Sequence, residues 1–185
     1  MYEAGLGFGM NYNNGLGMAW TFKPFDLFYG FGLTSDPAPK VTLGPYISGY
    51  YLWQLYPELQ SGHMFWFSSY ELGPRVLFST PLKGRILNIS LAASLAGLNS
   101  RPERTNEEYY YSLTFADFAG NPHSNMSLGS INVFNHINLT VEWTIPEKRF
   151  TIGYAFEYMG YREYPAFRYS LHSLNMKWRI GNNKQ

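Results

Sequence analysis

The residues able to do acid–base or nucleophilic chemistry are few: four histidines, His63, His123, His136 and His172, and no cysteine. The absent cysteine removes a disulfide framework, a thiol nucleophile and a thiolate metal site. No His-x-x-x-His spacing, P-loop or dinucleotide fingerprint is present, so no metal and no cofactor is expected. Gly5-Leu6-Gly7-Phe8-Gly9 is glycine-rich but lies within an alternating segment, not at the start of a helix, so it does not form a phosphate cradle. The best nucleophile–base pair is Ser170-Leu171-His172. Residues two apart on a strand share a face, which sets His172 beside the Ser170 hydroxyl as its base, an arrangement suited to acyl-ester cleavage. No acid in the local sequence orients that imidazole. In Pro122-His123-Ser124-Asn125 the histidine and serine are adjacent, and on a strand they would point to opposite faces. His136 shares its face with Glu142 and Ser130, each about 20 Å away along the strand, so no dyad forms within that segment.

The elements that would position these residues are read from a period of two. Ile131, Val133, Ile137, Leu139, Val141, Trp143 and Ile145 alternate with Asn132, His136, Asn138, Thr140, Glu142 and Thr144, with Asn135 the exception on the apolar side. Phe150, Ile152, Tyr154, Phe156 and Tyr158 alternate with Thr151, Gly153, Ala155 and Glu157. Leu174, Met176, Trp178 and Ile180 alternate with Ser173, Asn175, Lys177 and Arg179, and Leu87 to Leu95 behaves alike. Near the N-terminus Tyr2 to Tyr12, Leu16 to Phe22 and Leu27 to Leu33 set large apolar residues against glycines and small polar residues. Leu43–Leu55 and Phe65–Ser79 complete nine candidate strands. No segment carries a 3.6 period.

Composition says which solvent the apolar face meets. Charged residues make up only 15% of the 185, against 19% aromatic and 45% hydrophobic, whereas soluble domains average about 25% charged. Net charge is +1, which excludes nucleic-acid binding through a broad basic field. No apolar run approaches the roughly 18 residues of a membrane helix, while the alternating runs match the length of a barrel strand. The expected fold is therefore all-β: a transmembrane, antiparallel up-and-down barrel occupying residues 1–185 as a single domain in a bacterial outer membrane. Turns are expected at Asn13-Asn14-Gly15, Lys23-Pro24-Phe25-Asp26, Leu82-Lys83-Gly84-Arg85 and Pro146-Glu147-Lys148-Arg149. The long connections, Gln54–His63, Leu98–Leu128 and Tyr161–Arg168, then fall outside the cell. Bacterial barrels have an even number of strands. Either one N-terminal segment is too short to span, giving about eight, or an upstream strand is missing, giving ten; length favours eight. Met1 to Gly5 has neither the basic nor the apolar region of a signal peptide.

On the inward phase lie Glu3, Lys23, Glu71, Arg75, Glu142, Glu157, Lys177 and Arg179, four acids and four bases. A selectivity ring carries one dominant sign, so a cancelling set is expected to be a packed ionic network closing the lumen. The segment Arg101–Phe118 combines charges with Tyr109, Tyr110, Tyr111, Phe115 and Phe118, a candidate interface loop or a lid over the mouth. Tyr158, Tyr161, Tyr164, Phe167, Trp53 and Trp66 are expected as neighbouring rim or girdle rings.

The stretch Phe134-Asn135-His136-Ile137-Asn138-Leu139, the turn Ile145-Pro146-Glu147-Lys148-Arg149, then Thr151-Ile152-Gly153-Tyr154 and Tyr169-Ser170-Leu171-His172 resemble a family of outer-membrane barrels of unknown function found in Bacteroidota. The resemblance covers Tyr70 to Ile180 and implies an outer-membrane barrel, and the family supplies no catalytic residues to carry over. The function expected is a non-enzymatic, closed outer-membrane barrel acting as an accessory or structural subunit. Its expected partners are membrane lipids or lipopolysaccharide and other outer-membrane proteins. The alternatives are a small pore or ligand transporter, and a lipid esterase through Ser170 and His172.

Overall fold

The computed structural model describes residues 2–12, 16–33, 39–56, 63–101, 120, 123, 125–146, 150–163 and 166–178. The strands among the described residues are β1 (Tyr2–Tyr12), β2 (Leu16–Phe28), β3 (Phe31–Gly32), β4 (Lys40–Tyr56), β5 (His63–Leu82), β6 (Arg85–Ala93), β7 (Ala96–Ser100), β8 (Ser127–Ser130), β9 (Phe134–Ile145), β10 (Phe150–Tyr161) and β11 (Phe167–Trp178). Among the described residues no helix is long and apolar enough to cross a membrane. The strands hydrogen-bond into one sheet in the order β1-β2-β4-β5-β6-β9-β10-β11, with β3, β7 and β8 off this path, and the registered pairs are antiparallel.

Backbone chemistry explains where the ladders turn and break. Lys83 and Gly84 both have positive φ, 51° and 75°. That is the two-residue mirror-image turn whose twist suits a hairpin, and it joins Leu82 to its partner Arg85. Pro24 behaves differently from the turn read in the sequence. β2 runs straight through Lys23-Pro24-Phe25-Asp26, pairing Gly5 with Lys23 and Glu3 with Asp26, and the register slips between them. A proline has no N–H for the ladder and is tolerated at a bulge. The two N-terminal segments read as separate strands thus merge, and only Phe31–Gly32 remains of the second beyond β2. At the other end of the long connection, Ile131–Val133 form a turn, so β9 begins at Phe134 instead of Ile131. The connection itself is bounded by β7 and β8, which pair with each other from Ala96↔Ser130 to Asn99↔Ser127.

The chain forms two compact units. The first contains residues 1–27, 47–72 and 96–130. In it β7 lies against Ser68–Leu72 of β5, and Phe25 packs 2.9 Å from where a Gly49 side chain would begin. The second contains residues 28–46, 73–95 and 131–185. Here β6 pairs with Arg75–Leu82 of β5 and with Ile86↔Thr144 to Ala93↔Ile137 on β9. A side chain at Gly73 would collide with the Ala93 carbonyl, and one at Gly44 with the Tyr29 carbonyl. Those two positions admit only glycine because backbone passes where Cβ would sit.

Within the second unit the faces of the sheet are sorted by polarity in an unusual direction. On β11 Leu174 and Met176 are 80% and 73% exposed, and Ile152 and Tyr154 on β10 and Ile137 on β9 are exposed as well. The opposite phase buries Glu157, His136, Arg75 and Ser94, together with Gly153. The first unit repeats part of this: Ser68, Ser69 and Glu71 are buried while Leu98 and Leu128 are exposed.

Candidate functional site

Among the described residues, a polar side-chain constellation lies in each unit. In the second, His136 on β9 and Glu157 on β10 meet across the ladder. The register sets Met159 opposite His136 and Glu157 opposite Asn138, so the histidine and glutamate are diagonal neighbours on one face. His136 Nε2 lies 2.8 Å from Glu157 Oε1, and both residues are buried, at 2% and 7% exposure. Ser94 closes on the same histidine from the end of β6, but through backbone. The His136 N–H donates to Ser94 Oγ at 2.8 Å, and the Ser94 N–H donates to the His136 carbonyl at 2.8 Å. The serine hydroxyl is thus occupied as an acceptor for the main chain, and the imidazole is turned to the glutamate. Serine, histidine and carboxylate are all present, yet the bonding is that of a structural clasp. The partner of His136 thus sits on the neighbouring strand, where spacing along β9 alone does not show it.

Arg75 supplies the second buried charge of this unit. Its guanidinium lies 4.7 Å from the Tyr46 ring centre and 5.7 Å from that of Phe28. Both rings belong to a small buried cluster with Ala92, against which Leu77 packs. A delocalised, weakly hydrated guanidinium suits such ring faces better than an ammonium would.

The other expected lumen charges fall as follows. Glu71 is buried on β5 and Lys23 is half-buried on β2. Lys23 lies 4.0 Å from Asp26, at the limit of an ion pair. Glu142 is half-buried, and its Cγ covers Gly153, 3.1 Å from where that glycine's Cβ would be. Glu3 pairs with Asp26 and Lys177 with Thr151 along their ladders. Arg179 and the candidate interface residues Tyr109, Tyr110, Tyr111, Phe115 and Phe118 lie outside the described residues.

The first unit holds an aromatic cluster that sequence spacing does not reveal. Tyr51 stacks on Trp53 at 5.6 Å and 9°, and its hydroxyl hydrogen-bonds that of Tyr70. His123, arriving from the long connection, sets its ring against both. Its nitrogens lie 3.4 Å from each tyrosine hydroxyl, and its ring stacks on Tyr70 at 24°. The serine and proline beside His123 are outside the described residues. Trp53 is thus half-buried in this cluster, while Trp66 and Tyr161, expected as rim rings, are buried.

Ser170 and His172 both lie exposed on β11 in phase with Leu174, with no bulge between them and Trp178. The imidazole is engaged elsewhere: Nδ1 is 2.6 Å from the Tyr154 hydroxyl, and the ring lies 5.0 Å from Phe156. Among the described residues no hydrogen bond joins Ser170 to His172, and no carboxylate orients the imidazole. Among them, too, no group of three or more His, Asp or Glu has the arrangement of a metal site. The chain matches no family model, no curated protein and no solved structure among those compared.

Proposed function

We propose that the chain is a bacterial outer-membrane β-barrel with a closed, side-chain-filled lumen, serving as a non-enzymatic structural or accessory subunit. The observation that carries this reading is the reversal of burial across one sheet. A sheet folded in water buries its Leu, Ile and Met and turns its charges out. Here Leu174 and Met176 stand bare while His136, Glu157 and Arg75 are enclosed, which is stable where the surrounding solvent is hydrocarbon. Strand length agrees: β9, β10 and β11 have 12 residues each, enough to cross a bilayer at barrel tilt. The sheet path β1-β2-β4-β5-β6-β9-β10-β11 contains an even eight strands. The lumen is read as closed because its buried charges are bound to their own neighbours, His136 to Glu157 and Arg75 to two rings.

The test uses the absence of native cysteine. Leu174→Cys or Met176→Cys carrying bimane, folded into phosphatidylcholine vesicles, is expected to be quenched by brominated lipid, and Asn175→Cys much less. Equal quenching at neighbouring positions would overturn the membrane reading. Planar-bilayer recordings are expected to stay at background; discrete conductance steps would replace the closed lumen with a pore. A barrel that purifies from outer membranes without other chains would remove the accessory role.

A further inference from the structure

The outward face of β11 is not apolar throughout. Arg168, Ser170 and His172 are exposed toward its loop end, followed in the same phase by the exposed Leu174 and Met176. At about 3.3 Å per residue the face passes from cation through hydroxyl and imidazole to bare hydrocarbon within one strand. The neighbouring strand shapes the polar end. Arg168 pairs with Gly160, and the Tyr158 ring covers that glycine, its hydroxyl 3.0 Å from where a Gly160 Cβ would sit. Tyr158 pairs with Ser170, and Tyr154 holds His172 by Nδ1, leaving Nε2 toward the surroundings. Among the described residues Arg168 and the exposed Arg162 have no ion-pair partner. The one acid nearby in sequence, Glu163, accepts the Tyr161 hydroxyl at 2.9 Å.

We infer that this wall seats a phosphorylated membrane lipid of net negative charge. Arg168, with the hydroxyls of Ser170 and Tyr158, takes the phosphate, and the acyl chains lie along Leu174 and Met176. The inference rests on the outer-membrane reading above. A guanidinium and hydroxyl donors are the groups that bind phosphate oxygens. The occupant is a lipid, not a free anion, because the cationic end continues without interruption into the exposed apolar one. A basic residue at the interface adds about fivefold to the affinity for an anionic lipid.

Leu174→Cys carrying bimane is folded into phosphatidylcholine vesicles and quenched with either brominated phosphatidylglycerol or brominated phosphatidylcholine at equal mole fraction. The local preference for phosphatidylglycerol is expected at about fivefold. It should fall toward one in Arg168→Gln, persist in Arg168→Lys, and be unchanged in Lys83→Gln on the β5–β6 turn. Each of these side chains is exposed, so folding is spared. An unchanged preference in Arg168→Gln would overturn the site while leaving the barrel standing. Loss of the preference on adding excess inorganic phosphate would assign the site to a free anion and overturn the lipid. A protein excluded from the vesicles altogether would overturn both readings.

Discussion

The two faces of β9, β10 and β11 are built from the same strands by residues one position apart, and they obey opposite rules. One face exposes Leu174, Met176, Ile152 and Ile137; the other buries His136 and Glu157 and holds them to each other. In water the exposed face would be a large contiguous apolar patch of the kind that drives association. The buried face desolvates charge beside buried apolar side chains such as Phe134 and Met159, which is costly unless each charge is paired. In hydrocarbon the first becomes the natural outside, and the second is the only place where charge is tolerated. The membrane reading proposed above rests on this contrast, which is best attacked on the outer face.

Leu174→Arg carries the largest expected effect. At a lipid-facing midplane position an arginine costs about 2–4 kcal/mol, read as a lowered urea midpoint of the protein folded in vesicles. On a soluble sheet the same change at a fully exposed leucine stays within about 0.5 kcal/mol. A null result would erase the distinction between the faces.

That distinction was legible in the residues themselves. Leu174 and Met176 against Ser173 and Asn175 assign the phase of β11 with no structure at all, and Glu71 against Leu72 does the same on β5. What alternation does not carry is register, which depends on where a ladder starts and slips. Glu157 reaches His136 because Phe150 pairs with Ile145, a fact of turn geometry. Tyr51, Tyr70 and His123 are 19 and 53 residues apart, and nothing local announces their meeting. Pro24 was misleading for a different reason. Proline begins turns and also sits at bulges, and only the pairing of Glu3 and Gly5 across it decides between them.

On the inner face, Glu157→Gln is expected to destabilise by about 1–3 kcal/mol, since it removes the charge-assisted partner of a buried imidazole. The double variant His136→Leu/Glu157→Leu is expected to be less destabilised than the sum of its single changes, because no orphaned polar group remains. Additive losses in that cycle would mean the pair does not act as a unit. Arg75 comes next. Arg75→Met keeps most of the stem packing against Leu77's cluster and loses the guanidinium stacking on Tyr46 and Phe28, which by itself contributes about 0.5–2 kcal/mol. A smaller loss in Arg75→Lys would indicate that charge matters more than the planar stack; an equal loss would indicate the reverse.

The smallest effect discriminates between solvents most finely. Tyr154 and His172 hydrogen-bond at 2.6 Å on the exposed face, where a soluble protein would have water ready to replace either partner. Tyr154→Phe in water would then be close to neutral. Beside lipid no water takes the vacated place, and the imidazole Nδ1 is left without a partner, for a loss of about 1 kcal/mol. His172→Phe in the Tyr154→Phe background removes the orphaned group and is expected to recover most of that loss. The same pair of variants measured in detergent and in bilayers sharpens the comparison further. Detergent admits water to the wall, so the penalty of Tyr154→Phe should shrink there and reappear in the bilayer. The absence of a penalty in both would place this stretch of β11 in water, and the outer face would then have to be read as two environments instead of one.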